Sequence, residues 1–533
     1  MMSGLLAAQD KPNIVIIVAD DLGYADPGYK NSGIDTPSID SLAAEGVEMT
    51  RFYATPICSP TRAALMTGRD PIRLGVAFGV ILPWDSGGVH TNEHFMPQSF
   101  QAAGYQTAMV GKWHLGHAQK ALTPNARGFD EFYGHLHTET GFYPPFNMVG
   151  GKDFQRNGVS IDDQGYESYL LADHAEKWIK SRDKQRPFFM YMPFLAPHEP
   201  LQAPQALIDK YADMKDERER SRGTTDSSTL RNMMAGDRRG LYAAVVDGMD
   251  QAIGQVLDTL EAEGIADNTI VLFFSDNGAT RLAGRGGGDN APFRGGKAET
   301  YEGGIRVISL ARWPGKLKAG KKIDETVTVM DVFPTLAAAA GVKPLNHYEL
   351  DGLNMWPVLS GKGSVKRSET LFFGSEIPTY GTYNFTAIDG DWKLVQWLEQ
   401  ELTTMSISQE LFNLVEDPGE YNNLADEHPK RVEELAQQIL EWRSLYPVNG
   451  THARISAPPG WHAPKDWADY PRDMQALQPK ALSTVAPFAA AEYLLDKSLG
   501  ERGRLIYNCE PLSWMFDVCP PRDDPEKPAA KMH

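Results

Sequence analysis

Cysteine is nearly absent, with three in 533 residues, which excludes a small secreted module held by disulfides. Long apolar runs are missing too. The cleanest, Ile14–Ala19 and Val271–Phe274, fall far short of the ~20 residues that cross a bilayer as a helix, so no membrane partner is expected. There is no excess of basic charge: 52 Lys and Arg against 70 Asp and Glu leave a net charge of −18. That argues against nucleic acid or an anionic membrane as partner. The opening residues, MMSGLLAAQD, lack a basic stretch and hold only Gly4–Ala8 as an apolar segment, too short for a secretory signal. On that reading a cytoplasmic location is favoured, with a periplasmic one open if the N-terminus was trimmed. Internal repeats and low-complexity tracts are not found.

What is present is an ordinary globular composition, 42% hydrophobic, 23% charged and 10% aromatic, with length enough for a deep core. Asn13–Ala19, NIVIIVA, is a continuous β-branched run that predicts a buried parallel strand. It ends in Asp20-Asp21-Leu22-Gly23. Thr269–Ser275, TIVLFFS, predicts a second such strand and ends in Asp276-Asn277-Gly278. Residues just past the carboxyl ends of such strands face the ligand crevice of an open α/β sheet. Further strands are expected at Gln106–Val110 and Phe188–Met192, and helices alternate with them. The clearest helix is Leu241–Glu263, with Val245, Met249, Ile253, Val256 and Leu260 on one face and Gly264 as its stop. This alternation predicts an α/β fold, a large doubly wound mixed sheet flanked by helices, over residues 1–365.

The texture then changes. Thr370–Phe373, Thr386–Ile388, Trp392–Trp397 and Glu410–Leu414 are short strand candidates separated by turn signals, followed by a helix at Pro429–Leu445. They predict a smaller α+β domain, an antiparallel sheet with one helix, over 366–447. Residues 448–533 are rich in Pro and Trp, a tail expected to wrap the body or a partner subunit, and tail-mediated homodimers or larger assemblies are the expected state. Cys509 and Cys519 lie in this tail. Two buried thiols are expected there, and a disulfide only if the protein is exported.

Chemistry concentrates in Pro56–Gly68, PICSPTRAALMTG. Ser59 suits an N-cap, Pro60 the first helical position and Gly68 a C-cap, which puts Cys58 immediately before a helix N-terminus in a field that favours anions. A lone cysteine there is ordinarily a small buried hydrophobe. Here Cys58-Ser59-Pro60-Thr61-Arg62 resembles the C-x-P-x-R signature of the type I sulfatases, in the alkaline-phosphatase superfamily, whose cysteine is oxidised to formylglycine. Other segments resemble that family in its own order: Pro12–Gly23, Gly111–Gly116 (GKWHLG), Arg127–Gly134 (RGFDEFYG), Ala196–Pro200 (APHEP), Phe274–Gly278 (FSDNG), Arg294–Lys297 with Tyr301–Arg306, and Leu411–Ala425. The likeness runs from about Pro12 to Leu445.

The resemblance implies a site and a reaction. Asp20, Asp21, Asp276 and Asn277, with position 58, would bind one divalent cation; three carboxylates and an amide oxygen suit Ca²⁺ better than Mg²⁺. Either acidic pair alone would be ordinary turn chemistry. Arg62, Lys112, His114, His198 and Lys297 would ring the sulfate ester, although singly each could be a surface lysine or a satisfied histidine. Hydrated formylglycine at position 58 would attack sulfur in line, with Arg62 holding the diol and Lys112 bridging it to a sulfate oxygen. His198, or Lys297 with it, would protonate the leaving oxygen, and His114 would take the proton that lets sulfate depart. The expected activity is thus an arylsulfatase-type sulfuric ester hydrolase, acting on small or glycan sulfate esters and matured by a formylglycine-generating enzyme.

Two look-alikes fail or weaken. Lys297 is no Walker A lysine, since Ala291 and Ala298 occupy positions that motif requires as Gly and Ser/Thr. Arg285–Gly288, RGGG, is expected as a mobile rim of the pocket. Ala196–Tyr211 is similar to arylsulfatase B-type enzymes, which act on N-acetylgalactosamine units. His135, His137, Tyr143 and Ser221–Ala235 are candidate pocket walls. Two alternatives stay open here: a phosphonate monoester or phosphodiester hydrolase on the same formylglycine site, and a catalytically silent binding module.

Overall fold

The computed structural model describes residues 11–138, 140–215, 238–280, 286–377, 382–400, 405–447, 450 and 457–472. Ser221–Ala235, Arg285, Cys509 and Cys519 lie outside these residues. A ten-stranded mixed sheet forms the body, in the order Lys321–Ile323, Val47–Met49, Ser309–Arg312, Thr269–Ser275, Asn13–Ala19, Phe188–Pro193, Gln106–Lys112, Glu131–His135, Gln155–Arg156, Val159–Ser160. Its central five strands, from Thr269–Ser275 to Glu131–His135, are parallel. The antiparallel pairings fall toward the two edges.

The first strand shows why the sheet sits where it does. All seven of its residues are buried, and they alternate between two cores. Ile14, Ile16 and Val18 join one hydrophobic cluster, and Val15, Ile17 and Ala19 join the other, as the two-residue period of a strand demands. Helices Pro37–Glu45, Glu167–Ser181 and Arg239–Ala262 cover one face, with Leu42, Ala175, Val245 and Ile253 in its core. Helices Cys58–Thr67, Met96–Ala102 and Val332–Ala339 cover the other. Each fully buried Ile, Val or Leu contributes roughly 1.5–3 kcal/mol. Among the described residues no helix is long and apolar enough to cross a membrane.

The second sheet is an antiparallel meander of Leu371–Ile377, Thr382–Asp389, Trp392–Gln400 and Met405–Asn413. Helix Pro429–Arg443 packs Val432, Leu435, Ile439 and Trp442 against Phe385, Leu394 and Leu411. These strands run longer than the sequence pattern marks, because polar residues such as Ser375, Asn384 and Lys393 are buried between the sheet and the body. Lys393 pairs there with Glu302 (2.9 Å) and Glu420 (2.8 Å), a buried tie between the sheet and the helical turn Glu302–Ile305. Residues 457–472 lie along the main sheet's far edge, with Trp467 completely buried.

Candidate active site

Five segments converge at the carboxyl ends of the central strands. Ala19 pairs in register with Ser275, so Asp20 and Asp276, one residue on, leave the sheet side by side. Lys112 ends its strand, and His198 follows the strand Phe188–Pro193 by five residues. Gly111, at φ +133°, is required there: a Cβ would stand 2.0 Å from the Pro193 carbonyl oxygen. Helix Cys58–Thr67 points its N-terminus into the crevice, and Cys58 and Arg62, four residues apart, share one face.

The helix start differs from expectation. Cys58 is the first helical residue and Ile57 the extended residue before it. Ser59 therefore does not cap. Its hydroxyl donates to the His114 carbonyl (2.9 Å) and accepts from the Ile81 amide (3.2 Å). A serine in this motif binds the neighbouring loop, a competing use of its hydroxyl that spacing alone does not reveal. Gly68 ends the helix as expected, in the left-handed region at φ 67°.

The ionic groups form a closed web. Arg62 donates through Nε (3.1 Å) and a terminal nitrogen (2.8 Å) to Asp276 Oδ2, and its other arm reaches the Lys112 carbonyl (3.1 Å). Lys112 donates to Asp20 and, at 2.7 Å, to Thr138 Oγ1. Lys297 donates to Asp21 Oδ2 (2.8 Å), and His198 Nε2 stands 3.8 Å from the same oxygen. Cys58 Sγ lies 3.4 Å from Asp20 Oδ1. Lys112 and Lys297 are buried, which excludes their reading as surface lysines. The ligand atoms of Asp20, Asp21, Cys58 and His198 lie within 4.8 Å of one another.

Burial and neighbouring charge set the protonation states. Burial alone would raise Asp20, but Lys112, His198, Arg62 and Lys297 outweigh it and hold the carboxyl well below its usual range. Burial, then the adjacent Asp20, push Asp276 up to about 6 despite Arg62. Burial followed by Asp20 drives the Cys58 thiol well above normal, so an unmodified cysteine is a neutral thiol and a poor nucleophile. Burial, with Lys297 and Lys112 behind it, lowers His198 to about 4, although Asp20 and Asp21 oppose this; burial and Lys112 hold His114 far lower than usual.

The donor set fits a hard divalent cation. Asn277 Oδ1 is buried with no hydrogen-bond partner, while its amide nitrogen donates to Asp21 Oδ1 (2.6 Å) and so fixes the carbonyl's direction. Three carboxylates and this orphaned oxygen are the chemistry such an ion takes. His114 is equally telling: neither ring nitrogen has a partner, and its backbone sits at φ 61°. Asp21, at φ 70°, also holds a left-handed conformation, the kind of strain that collects at working sites.

The candidate metal-binding and catalytic residues are thus all in one place. Thr138 was missed. Its hydroxyl touches Lys112 and lies 3.5 Å from His198 Nε2, yet it follows a strand with no motif to mark it. His135 and His137 are not open pocket walls: both are buried, His135 beside Glu167 (3.4 Å) and His137 on Asp153 (2.9 Å). Tyr143 is half exposed on the surface. Of the glycine-rich loop, Gly286 is tied to the Glu199 side chain (2.7 Å) and the Gly287 carbonyl to Arg239 (3.0 Å), an anchored rim.

The Sulfatase family model matches residues 12–342. The chain belongs to the sulfatase family. A second model, N-sulphoglucosamine sulphohydrolase, C-terminal, matches residues 296–444. Among curated sulfatases the chain is 30% identical to arylsulfatase J of Mus musculus over 87% of its own length and 79% of the relative's. It is 36% identical to N-acetylgalactosamine-6-sulfatase of Homo sapiens over 67% of each. The crystal structure of Ps i-CgsB in complex with k-i-k-neocarrahexaose superposes with a TM-score of 0.70 at 29% identity, covering 85% of this chain and 95% of that one. This sulfatase is accordingly a sulfuric ester hydrolase, and its sheet is that of the alkaline-phosphatase superfamily.

Proposed function

We propose that the sulfatase removes sulfate from sulfated glycans, using a formylglycine made from Cys58 by a formylglycine-generating enzyme and one Ca²⁺ held by Asp20, Asp21, Asp276 and Asn277. The observation that carries this reading is the seat of Cys58. Its Sγ lies 3.4 Å from Asp20, at a helix N-terminus ringed by Arg62, Lys112, His114, His198 and Lys297. A bound cation would neutralise the carboxylates and favour a nucleophilic oxygen at position 58. Ca²⁺ is preferred to Mg²⁺ because nearly all the ligands are protein oxygens.

The chain's own groups then divide the work. Arg62, pinned at two nitrogens, is a fixed positive charge beside position 58. Lys112, steadied by Thr138, faces the sulfate oxygens. Both buried lysines offer N–H donors to a tetrahedral anion whose charge spreads outward during S–O cleavage. His198 donates its Nδ1–H to the Glu199 carbonyl (2.6 Å), which leaves Nε2 toward the crevice. An incoming sulfate ester adds negative charge that favours protonation there, so His198, with Lys297, delivers a proton to the departing oxygen. His114 is neutral and unpartnered, the state a base needs to take the proton from the second hydroxyl at position 58. The glycan preference rests on the kinship with N-acetylgalactosamine-6-sulfatase.

The first test is the mass of the tryptic peptide Phe52–Arg62. An aldehyde or its hydrate at position 58 in active protein is expected; an unmodified thiol in active protein refutes the mechanism. Metal analysis of purified enzyme should find Ca²⁺ near one equivalent, and Mg²⁺ alone would correct the ion. Comparison of kcat/KM on sulfated oligosaccharides, an aryl sulfate and the matched aryl phosphonate should rank them in that order. A higher value for the phosphonate would reverse the substrate class.

A further inference from the structure

Residues 457–472 meet the body far along the chain from any catalytic motif, yet Trp467 among them packs on a buried histidine behind the active site. Trp467 is completely buried. Its ring centroid lies 4.1 Å from that of His137 and 5.6 Å from that of His117, and the two histidine rings are 4.2 Å apart. The segment is registered by backbone bonds, Trp467 N–H to the Lys152 carbonyl (2.8 Å) and Lys152 N–H to the Lys465 carbonyl (3.0 Å). The indole N–H donates to the Gly150 carbonyl (2.9 Å), and Ser160 donates to Asp466 (2.6 Å). Gly151, at φ +80°, lets the two segments approach this closely, since a Cβ would meet the Pro464 carbonyl oxygen at 2.1 Å.

From His137 the contacts lead inward. His137 Nδ1 bonds Asp153 Oδ2 (2.9 Å), while its Nε2 is buried without a hydrogen-bond partner, and the ring packs against those of Trp467 and His117. Asp153, fully buried, also accepts from the backbone amides of Leu136 (3.0 Å) and His137 (3.2 Å) and from Asn147 (3.2 Å). The Leu136 carbonyl in turn takes the His114 amide (3.0 Å). The next residue is Thr138, whose hydroxyl holds Lys112 at 2.7 Å and lies 3.5 Å from His198.

We infer that Trp467 is a positioning residue for sulfate-ester hydrolysis: packed on His137, it fixes through Asp153 the 136–138 backbone that aims Thr138 at Lys112 and His198. The segment thereby completes the site from outside the two matched family regions. The inference rests on the assignment of Lys112 and His198 to the site, which the Lys112 variant described in the Discussion tests separately. A shift of about 1 Å in a positioning shell can cost up to a hundredfold in rate.

The test is kcat and KM on an aryl sulfate for Trp467→Ala and Trp467→Phe, each normalised to the formylglycine content of the folded protein. Trp467→Ala should lower normalised kcat between about tenfold and a hundredfold, with Trp467→Phe recovering most of it. Trp461→Ala, in the same segment, packed on Trp84 at 5.8 Å and meeting Trp467 only at 6.4 Å, should lower melting temperature and change normalised kcat far less than Trp467→Ala. If Trp467→Ala does not fold, Asp153→Asn carries the test and should show the same loss of normalised kcat. Unchanged normalised kcat in whichever variant folds, with a lowered melting temperature only, overturns the inference and makes Trp467 a packing residue.

Discussion

The interior holds two clusters of buried charge that look alike on paper and behave differently. In the active site three carboxylates (Asp20, Asp21, Asp276) face three fixed cations (Arg62, Lys112, Lys297). Beneath the second sheet, Glu302 and Glu420 face Lys393 and Arg306. Each cluster is close to neutral, which is what lets charge persist away from water. Backbone strain does not separate them, since Glu420, at φ 59°, is as left-handed as Asp21 or His114. Polar atoms left with neither a hydrogen bond nor an ion pair do. Both Glu302 oxygens are engaged, one by Lys393 and the other by Tyr53 (2.9 Å) and Arg306 (3.3 Å); Glu420 Oε2 accepts from the Glu302 amide (2.6 Å), and its Oε1, which makes no hydrogen bond, is ion-paired with Lys393 at 2.8 Å. The active site leaves both nitrogens of His114 and the carbonyl oxygen of Asn277 with nothing to bind. The paired cluster ties the second sheet to the body, and the active site keeps polar atoms in reserve for a ligand.

The sharpest way to break this comparison is to remove one cation from each side. Lys112→Ala should cut kcat/KM on an aryl sulfate about 10³-fold, about 4 kcal/mol of barrier. A near-normal rate would sink the assignment of the site. Lys393→Met should do the reverse. It strands two buried carboxylates, so stability should fall by about 3 kcal/mol in urea unfolding, while kcat of the folded fraction stays unchanged.

Titration gives a finer test. Burial, joined by the charge of Glu302, pushes Glu420 up to about 7 from an ordinary 4.5, although Lys393 opposes it. Between those values the native protein keeps a proton that the unfolded chain has lost, so stability falls as pH rises through the window, by up to about 1.4 kcal/mol per pH unit. Glu420→Gln should flatten that slope, and an unaltered slope would assign it to another group. The smallest expected effect is Ser59→Ala. Losing the bonds to His114 and Ile81 should cost about 1 kcal/mol of stability and change kcat less than Lys112→Ala by orders of magnitude.

The sequence made the active site more legible than the paired cluster beneath the second sheet. Asp20-Asp21 and Asp276-Asn277 could be placed because each pair directly follows a continuous apolar strand, and adjacent parallel strands deliver such pairs to one crevice. Cys58 and Arg62 share a helix face by spacing alone. Thr138 and Trp467 could not be placed, because their partners come from remote segments and neither lies in a periodic pattern. Lys393 was equally hidden: a lysine in an alternating strand reads as solvent-facing until its two glutamates, from other segments, are brought beneath it. His135 and His137 misled for the opposite reason, since polar residues near a site suggest an open wall when they are in fact buried supports.

The central strand also sets a clock. Asn13–Ala19 is made first but pairs only with Phe188–Pro193 and Thr269–Ser275, so the crevice beside Cys58 cannot close until the later strand has left the ribosome. At about 5–20 residues per second, the roughly 200 residues after Cys58 take about 10–40 s to synthesise. In the finished fold Cys58 is 1% exposed, beyond the reach of any enzyme that must grip the peptide around it. On the proposed mechanism the conversion of Cys58 would therefore fall to the nascent chain, and a molecule that folded before being modified would keep its thiol.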